Sequence, residues 1–226
     1  MRSFIITLAA CTAIAAFLYA NTGARSMPSS SNDERPNEAT SDDSSSASNH
    51  RKATFAAGCF WCTEAVYLRL KGVSKVVSGY SGGNVENPTY KQICTGLTGH
   101  AECVQVEFDP DVITYEQLLD VFFHTHDPTS LNRQGADVGT QYRSSVFYHN
   151  AKQKAAAEKM IAELDAEGTF DRPIVTKLEK LEIFYPAEDY HQDYFRLNPN
   201  AGYCQVVVGP KVEKFQKRYA ALLKEK

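Results

Sequence analysis

The sequence has little net charge: 24 Lys and Arg stand against 27 Asp and Glu, a formal charge of −3 at pH 7. That excludes the basic footprint of a nucleic-acid or anionic-membrane binder. There is no internal repeat, so no array architecture is implied. Residues 25–52 lack aromatics and, beyond Met27, large apolar side chains. Such a stretch buries too little surface to offset its chain entropy and is expected to be a disordered Ser-rich, acidic tether. A second C-x-x-C is also missing, which weakens any zinc reading of the first.

What is present begins with the N-terminus. Met1 and Arg2 precede an apolar run from Phe4 to Ala20. This is the pattern of an export signal, with an uncleaved anchor as the second reading. Leu8–Cys11 resembles a lipobox, although its cysteine falls inside the apolar run. The expected organisation is a signal peptide or anchor over 1–24, the tether over 25–52, and one folded domain over 53–226. Export would place that domain in the periplasm, free or anchored.

The domain keeps five cysteines: Cys59, Cys62, Cys94, Cys103 and Cys204. An odd number in an exported chain implies at least one free or transiently paired thiol. Cys59 and Cys62 sit in "GCFWCTE". The apolar run Ala53–Ala57 reads as a strand closed by Gly58, and the pattern then turns helical until Gly72. Cys59 therefore falls at a helix N-terminus, where the helix dipole and unpaired N–H groups favour thiolate. Phe60 and Trp61 offer an aromatic wall suited to a small apolar group such as a methyl. Three readings compete: a nucleophile with a pocket, a thioredoxin-like redox pair, and half of a zinc site completed by Cys94 and Cys103 or by His124 and His126. The two histidines, two residues apart on a helix, point away from each other. Without further context Cys94 and Cys103 read as small buried residues.

Downstream, Val73–Tyr80 and Ala101–Phe108 are expected strands, with a short helical piece at Thr89–Ile93 between them. Thr114 and Gln117 form a capping box ahead of a helix. The polar stretch 127–143 is long for a simple connection, as functional loops often are. Ser145–His149 is a strand, Asn150 caps a helix ending at Gly168, and Ile174–Phe184 is a further strand. Short helices are expected over Pro186–Phe195 and from Pro210 to Leu223. The alternation implies an α/β or α+β domain.

In this order, "GCFWCTE", "GYSGGNVENPTY", "GHAE", "HDPT", "NRQGADVGTQYRS" and "YPAEDYHQDY" resemble the peptide methionine sulfoxide reductase A family, from Thr54 to past Cys204. The resemblance implies a two-layer α/β (α+β) sandwich with a ferredoxin-like β-α-β-β-α-β core. It implies Cys59 as the nucleophile on methionine S-sulfoxide in proteins, and Glu102 as the acid that protonates the sulfoxide oxygen. Tyr90 and Tyr142 would hold that oxygen, with Asp137 ordering water and a neighbouring tyrosine. Phe60 and Trp61 would receive the S-methyl group. Cys204, in "NAGYCQVV", matches a recycling cysteine and is favoured on the resemblance; Cys62, closer in sequence to Cys59, is a second candidate, and there the chain departs from the many family members that carry Gly. The implied enzyme needs no cofactor or metal, takes its electrons from a thioredoxin-type protein, and works as a monomer. The alternative is a C-x-x-C disulfide oxidoreductase.

Overall fold

The computed structural model describes residues 51–225. The expected signal, the Leu8–Cys11 motif and nearly all of the tether lie outside the described residues. The elements in order are β1 (Arg51–Ala57), α1 (Phe60–Tyr67), β2 (Val73–Ser81), α2 (Tyr90–Ile93), β3 (Ala101–Phe108), α3 (Tyr115–Thr125), β4 (Arg133–Gln134), β5 (Asp137–Val138), β6 (Ser144–Tyr148), α4 (Ala151–Ala166), β7 (Lys177–Lys180), β8 (Phe184–Pro186), α5 (Tyr194–Leu197) and α6 (Gly209–Arg218).

Six strands form one sheet in the order β7-β6-β1-β3-β2-β8, and β4 and β5 make a separate hairpin. The inner pairs β6–β1, β1–β3 and β3–β2 are all antiparallel. With α1 after β1 and α3 after β3, this is the β-α-β-β-α-β core expected from the resemblance, in ferredoxin-like strand order. The alternating side chains of β1 explain its two layers. Phe55 faces the helices, stacking on Tyr67 of α1 and Phe122 of α3 at 5.3 Å between centroids in each case. Burying a side chain of this size contributes about 1.5–3 kcal/mol. Ala56 faces the other way, onto Ala101, Cys103 and Phe147, which Leu181 and Phe184 cover. The α3 capping box forms as the sequence indicates: Thr114 Oγ1 accepts the Gln117 N–H at 3.1 Å and Gln117 Oε1 accepts the Thr114 N–H at 2.9 Å.

Three expectations change. The strand expected over Ile174–Phe184 is two strands on opposite edges of the sheet, β7 beside β6 and β8 beside β2. Both are only partly buried, so their alternation carries no sign of the crossing between them. The helix expected over Pro186–Phe195 is a 3-10 turn at Asp189–His191 and the short α5, separated by Asp193 at φ 51°. The final helix starts before Pro210, through a wide π-helical turn at Cys204–Val208, and α6 ends at Arg218.

One backbone position delivers β1 to the site. Gly58 has φ +86°, and a Cβ there would stand 2.6 Å from Gln134 Cβ. Gln134 is itself held by Asp127, whose N–H it accepts at 3.2 Å. Gly58→Ala is expected to cost about 1–3 kcal/mol through left-handed backbone strain and this clash. Thermal denaturation checks it, and an unchanged melting temperature would contradict this account of the turn.

Candidate active site

The site forms where β1 ends and β3 and β6 begin. Ala57 pairs with Ser144 across the β1–β6 ladder, and Tyr80 with Glu102 across β2–β3. The strand ends therefore bring Cys59, Glu102 and Tyr142 to one end of the sheet. A small cleft there is lined by Cys59, Phe60, Trp61, Tyr90, Glu102, Asp137, Tyr142 and Tyr203. The eight include every candidate catalytic and substrate-pocket residue of the sequence, together with Tyr203, which the sequence reading passed over. Its only sequence signal was its place next to Cys204 in "NAGYCQVV". A larger cleft, of about 520 Å³, lies at the other end of the sheet near Arg51, Phe108 and Asn150. Its lining includes no cysteine and no buried carboxylate.

Glu102 is 2 % exposed, and its Oε2 accepts the backbone N–H of Phe60, the first residue of α1, at 3.0 Å. Burial, helped by the charges of Asp137 and Cys62, pushes its carboxyl up to about 8. It is therefore a protonated acid at neutral pH, a state suited to donating a proton. Asp137, on β5, is also raised by burial, and its Oδ2 accepts the Tyr203 hydroxyl at 2.6 Å. Tyr90 opens α2, where Thr89 and Gln92 cap the turn. Its backbone N–H donates to Glu188 Oε1 at 2.8 Å. Tyr142 ends a 3-10 turn, Thr140–Tyr142, just before β6 and is buried.

The aromatic wall is clamped from behind. Trp61, the only tryptophan of the chain, donates its indole N–H to His191 Nδ1 at 3.2 Å. Tyr194 stacks on the indole at 3.7 Å, nearly parallel. Glu64 holds the segment that presents Tyr194, accepting the N–H groups of Asp193 at 2.9 Å and Tyr194 at 3.3 Å. His191 also packs on Phe60 and on Tyr90, at 5.0 and 4.3 Å between centroids.

The thiols depart from the sequence expectation. None of Cys59, Cys62, Cys94, Cys103 and Cys204 is in a disulfide. Cys59 stands at the N-cap of α1, as expected, but its thiol is not lowered. Burial, with Cys62 and Glu102 adding to it, holds it well above its ordinary value. The leading N–H of α1 serves Glu102 instead. The lowered thiol is Cys62, at about 7, chiefly because the Cys59 thiol hydrogen-bonds to it, with Lys211 assisting. The two thiols thus share one negative charge near neutral pH. Cys204 is buried, and its thiol is raised by burial and then by the charge of Cys62. The resemblance favoured Cys204 as partner of Cys59. In the structure Cys62 is the thiol hydrogen-bonded to Cys59, and Cys204 stands in the field of Cys62.

The zinc alternative finds no site: among the described residues, no group of three or more His, Cys, Asp or Glu side chains is placed to hold a metal ion. His126 Nδ1 instead donates to Phe122 O, and its Nε2 hydrogen-bonds to Ser144 Oγ, both at 2.7 Å.

The family model described as peptide methionine sulfoxide reductase matches residues 51–223. The chain belongs to the peptide methionine sulfoxide reductase family. It is 58 % identical to peptide methionine sulfoxide reductase MsrA 1 of Rhodopirellula baltica over 172 residues, covering 76 % of this chain and 88 % of that protein. The MsrA of Deinococcus radiodurans is 57 % identical over 173 residues, which cover 76 % and 84 %. Among solved structures of the family, reduced Mxr1 from Saccharomyces cerevisiae superimposes with a TM-score of 0.64 at 37 % identity, covering 70 % of this chain and 91 % of that one. Methionine sulfoxide reductase A of Corynebacterium diphtheriae gives 0.63 at 34 % identity, covering 71 % and 80 %.

Proposed function

We propose that this protein is a peptide-methionine (S)-S-oxide reductase that repairs oxidised methionine in proteins. The observation that carries the reading is a protonated, buried Glu102 in the same small cleft as the Cys59 thiol and the Phe60–Trp61 wall. The substrate's S-methyl group rests against Phe60 and Trp61, and its oxygen points to Glu102, Tyr90 and Tyr142. Shifting the shared proton onto Cys62 frees the Cys59 thiolate, which attacks the sulfoxide sulfur. Glu102 protonates the oxygen, a poor leaving group otherwise, while the tyrosine hydroxyls donate to it as charge develops. In the net step the oxygen passes from the substrate sulfur to Cys59. Methionine leaves, reduced by two electrons, and Cys59 remains as sulfenic acid.

Regeneration proceeds first through Cys62. The Glu102 carboxylate left by the reductive step takes the Cys62 proton, and the Cys62 thiolate attacks the Cys59 sulfenic sulfur. The same proton passes to the departing hydroxide, which leaves as water as the Cys59–Cys62 disulfide forms. Cys204 then attacks Cys62, forming a Cys62–Cys204 disulfide and freeing Cys59. The support for this order is the Cys59–Cys62 hydrogen bond and the position of Cys204 beside Cys62. In a single turnover without reductant, Cys62→Ser should leave a trappable sulfenic acid, whereas Cys204→Ser should not. Dimedone trapping read by mass spectrometry checks this, and the reverse pattern would make Cys204 the direct partner. A thioredoxin-type dithiol protein reopens the final disulfide. We also propose that residues 1–24 export the enzyme, on the strength of the apolar run after Arg2; fractionation of cells making the full chain tests that step.

The activity itself is tested with a dabsyl-labelled methionine sulfoxide and dithiothreitol. Consumption of the S epimer, with the R epimer untouched, is expected. Folded, reduced protein that converts neither epimer would remove the reading and favour a disulfide oxidoreductase, which insulin reduction would reveal.

A further inference from the structure

Arg143 directly follows Tyr142, yet it does not line the cleft. Its side chain is only 6 % exposed. Nη1 donates twice, to Thr140 O at 3.2 Å and to Gly99 O at 3.1 Å. On its other side Nε donates to Glu179 Oε1 at 3.1 Å, with Nη2 and Oε2 at 3.5 Å. Ser145 Oγ donates to the same Glu179 Oε1 at 2.8 Å, so the carboxylate is fixed in turn.

The two carbonyls that Nη1 joins belong to the segments that carry the chemistry. Thr140 opens the 3-10 turn that ends in Tyr142, and Gly99 lies three residues before Glu102. In the sheet β1 separates β6 from β3, but β1 turns away at Gly58. Beyond that turn the guanidinium connects the start of β6 to the approach to β3, beside one hydrogen bond from Thr140 Oγ1 to Gly96 O at 3.1 Å. The chain leaves room for it at Gly82, where a Cβ would stand 2.5 Å from Nη2.

We propose that Arg143 is a positioning residue for the reductive step: its guanidinium ties the turn bearing Tyr142 to the segment leading into Glu102 and so sets the spacing of oxygen donor and acid. The proposal rests on the roles given above to Tyr142 and Glu102. A planar fork with several fixed donors can serve two carbonyls and a carboxylate together, which the single ammonium of lysine cannot do. A buried ion pair is by itself weak evidence of a stabilising role. A displacement of about 1 Å at a reacting group, by contrast, is enough to slow a step by roughly 100-fold.

The test compares Arg143→Lys, Tyr142→Phe, Glu102→Gln and the double variant Arg143→Lys/Tyr142→Phe. The readouts are the single-turnover rate constant, the dissociation constant for methionine S-sulfoxide and the melting temperature. Arg143→Lys should lower the rate constant by roughly 10- to 100-fold with little change in the dissociation constant. Its effect should shrink in the Tyr142→Phe background, because the two act through one donor. A wild-type rate constant, or the same loss in both backgrounds, would overturn the proposal. If Arg143→Lys does not fold, Glu179→Gln serves: it leaves Arg143 in place but removes its counter-charge, and a wild-type rate constant there would overturn the proposal equally. Should Tyr142→Phe and Glu102→Gln themselves leave the rate unchanged, the reading of the site fails, which is a separate result.

Discussion

Cys59→Ser is expected to fold normally and to release no methionine from methionine S-sulfoxide, in a single turnover or with excess dithiothreitol. Serine differs from cysteine by one atom, and the buried position accepts either. A serine hydroxyl, however, is far less acidic than a thiol, and the neighbouring Cys62, lowered to about 7, is too weak a base to deprotonate it. Sulfenic acid chemistry is also closed to oxygen. Residual turnover in Cys59→Ser would transfer the attack to another thiol, with Cys62 the first to examine.

Glu102→Gln is expected to lower the single-turnover rate by about 10²–10⁴-fold, the usual worth of a positioned general acid, with a much smaller change in substrate affinity. The amide keeps the shape and the hydrogen bond from Phe60 but cannot give up the proton. The wild-type reductive step should decline as pH rises through about 8, where Glu102 ionises. Stability should follow the same group. A carboxyl raised on folding contributes stability that is present below its ordinary range and lost as pH rises through the folded value. Wild type is therefore expected to lose melting temperature between the ordinary carboxylate range and about pH 8, and Glu102→Gln to lose less. Glu64, raised by burial to about 7, adds to the same trend in both proteins. A wild-type rate in Glu102→Gln would sink the acid role, and a variant whose melting temperature falls as much as that of wild type over this pH range would sink the linkage.

Much of this site was legible because local signals and long motifs agreed. β3 has the bounds that its alternation indicated, Ala101–Phe108. Gly58 marked the strand-to-helix turn, and Thr114 with Gln117 the start of α3. What escaped depended on tertiary partners. Lys177–Lys180 and Phe184–Pro186 have the same half-buried character on either edge of a sheet, so the pattern could not reveal that the chain crosses over between them. Pro210 looked like a helix start because proline suits a first turn, but the wide turn at Cys204–Val208 precedes it. The Cys59 thiol was misjudged for a related reason. A helix N-terminus lowers a thiol when its N–H groups are free to face it, and here Phe60 N–H faces Glu102 from β3. The long segment between the strands supplied Asp137 and Tyr142, as its length suggested. The tie that joins Tyr142 to Gly99 through Arg143 is a long-range contact with no local signature.

The most direct test of the central claim is a single turnover of the Cys62→Ser/Cys204→Ser protein with methionine S-sulfoxide and no reductant, followed by mass spectrometry of the peptide containing Cys59. The account predicts one methionine released per protein and one oxygen gained at Cys59, trapped as sulfenic acid. Methionine released with Cys59 unchanged, or no methionine from a folded and reduced protein, would contradict it.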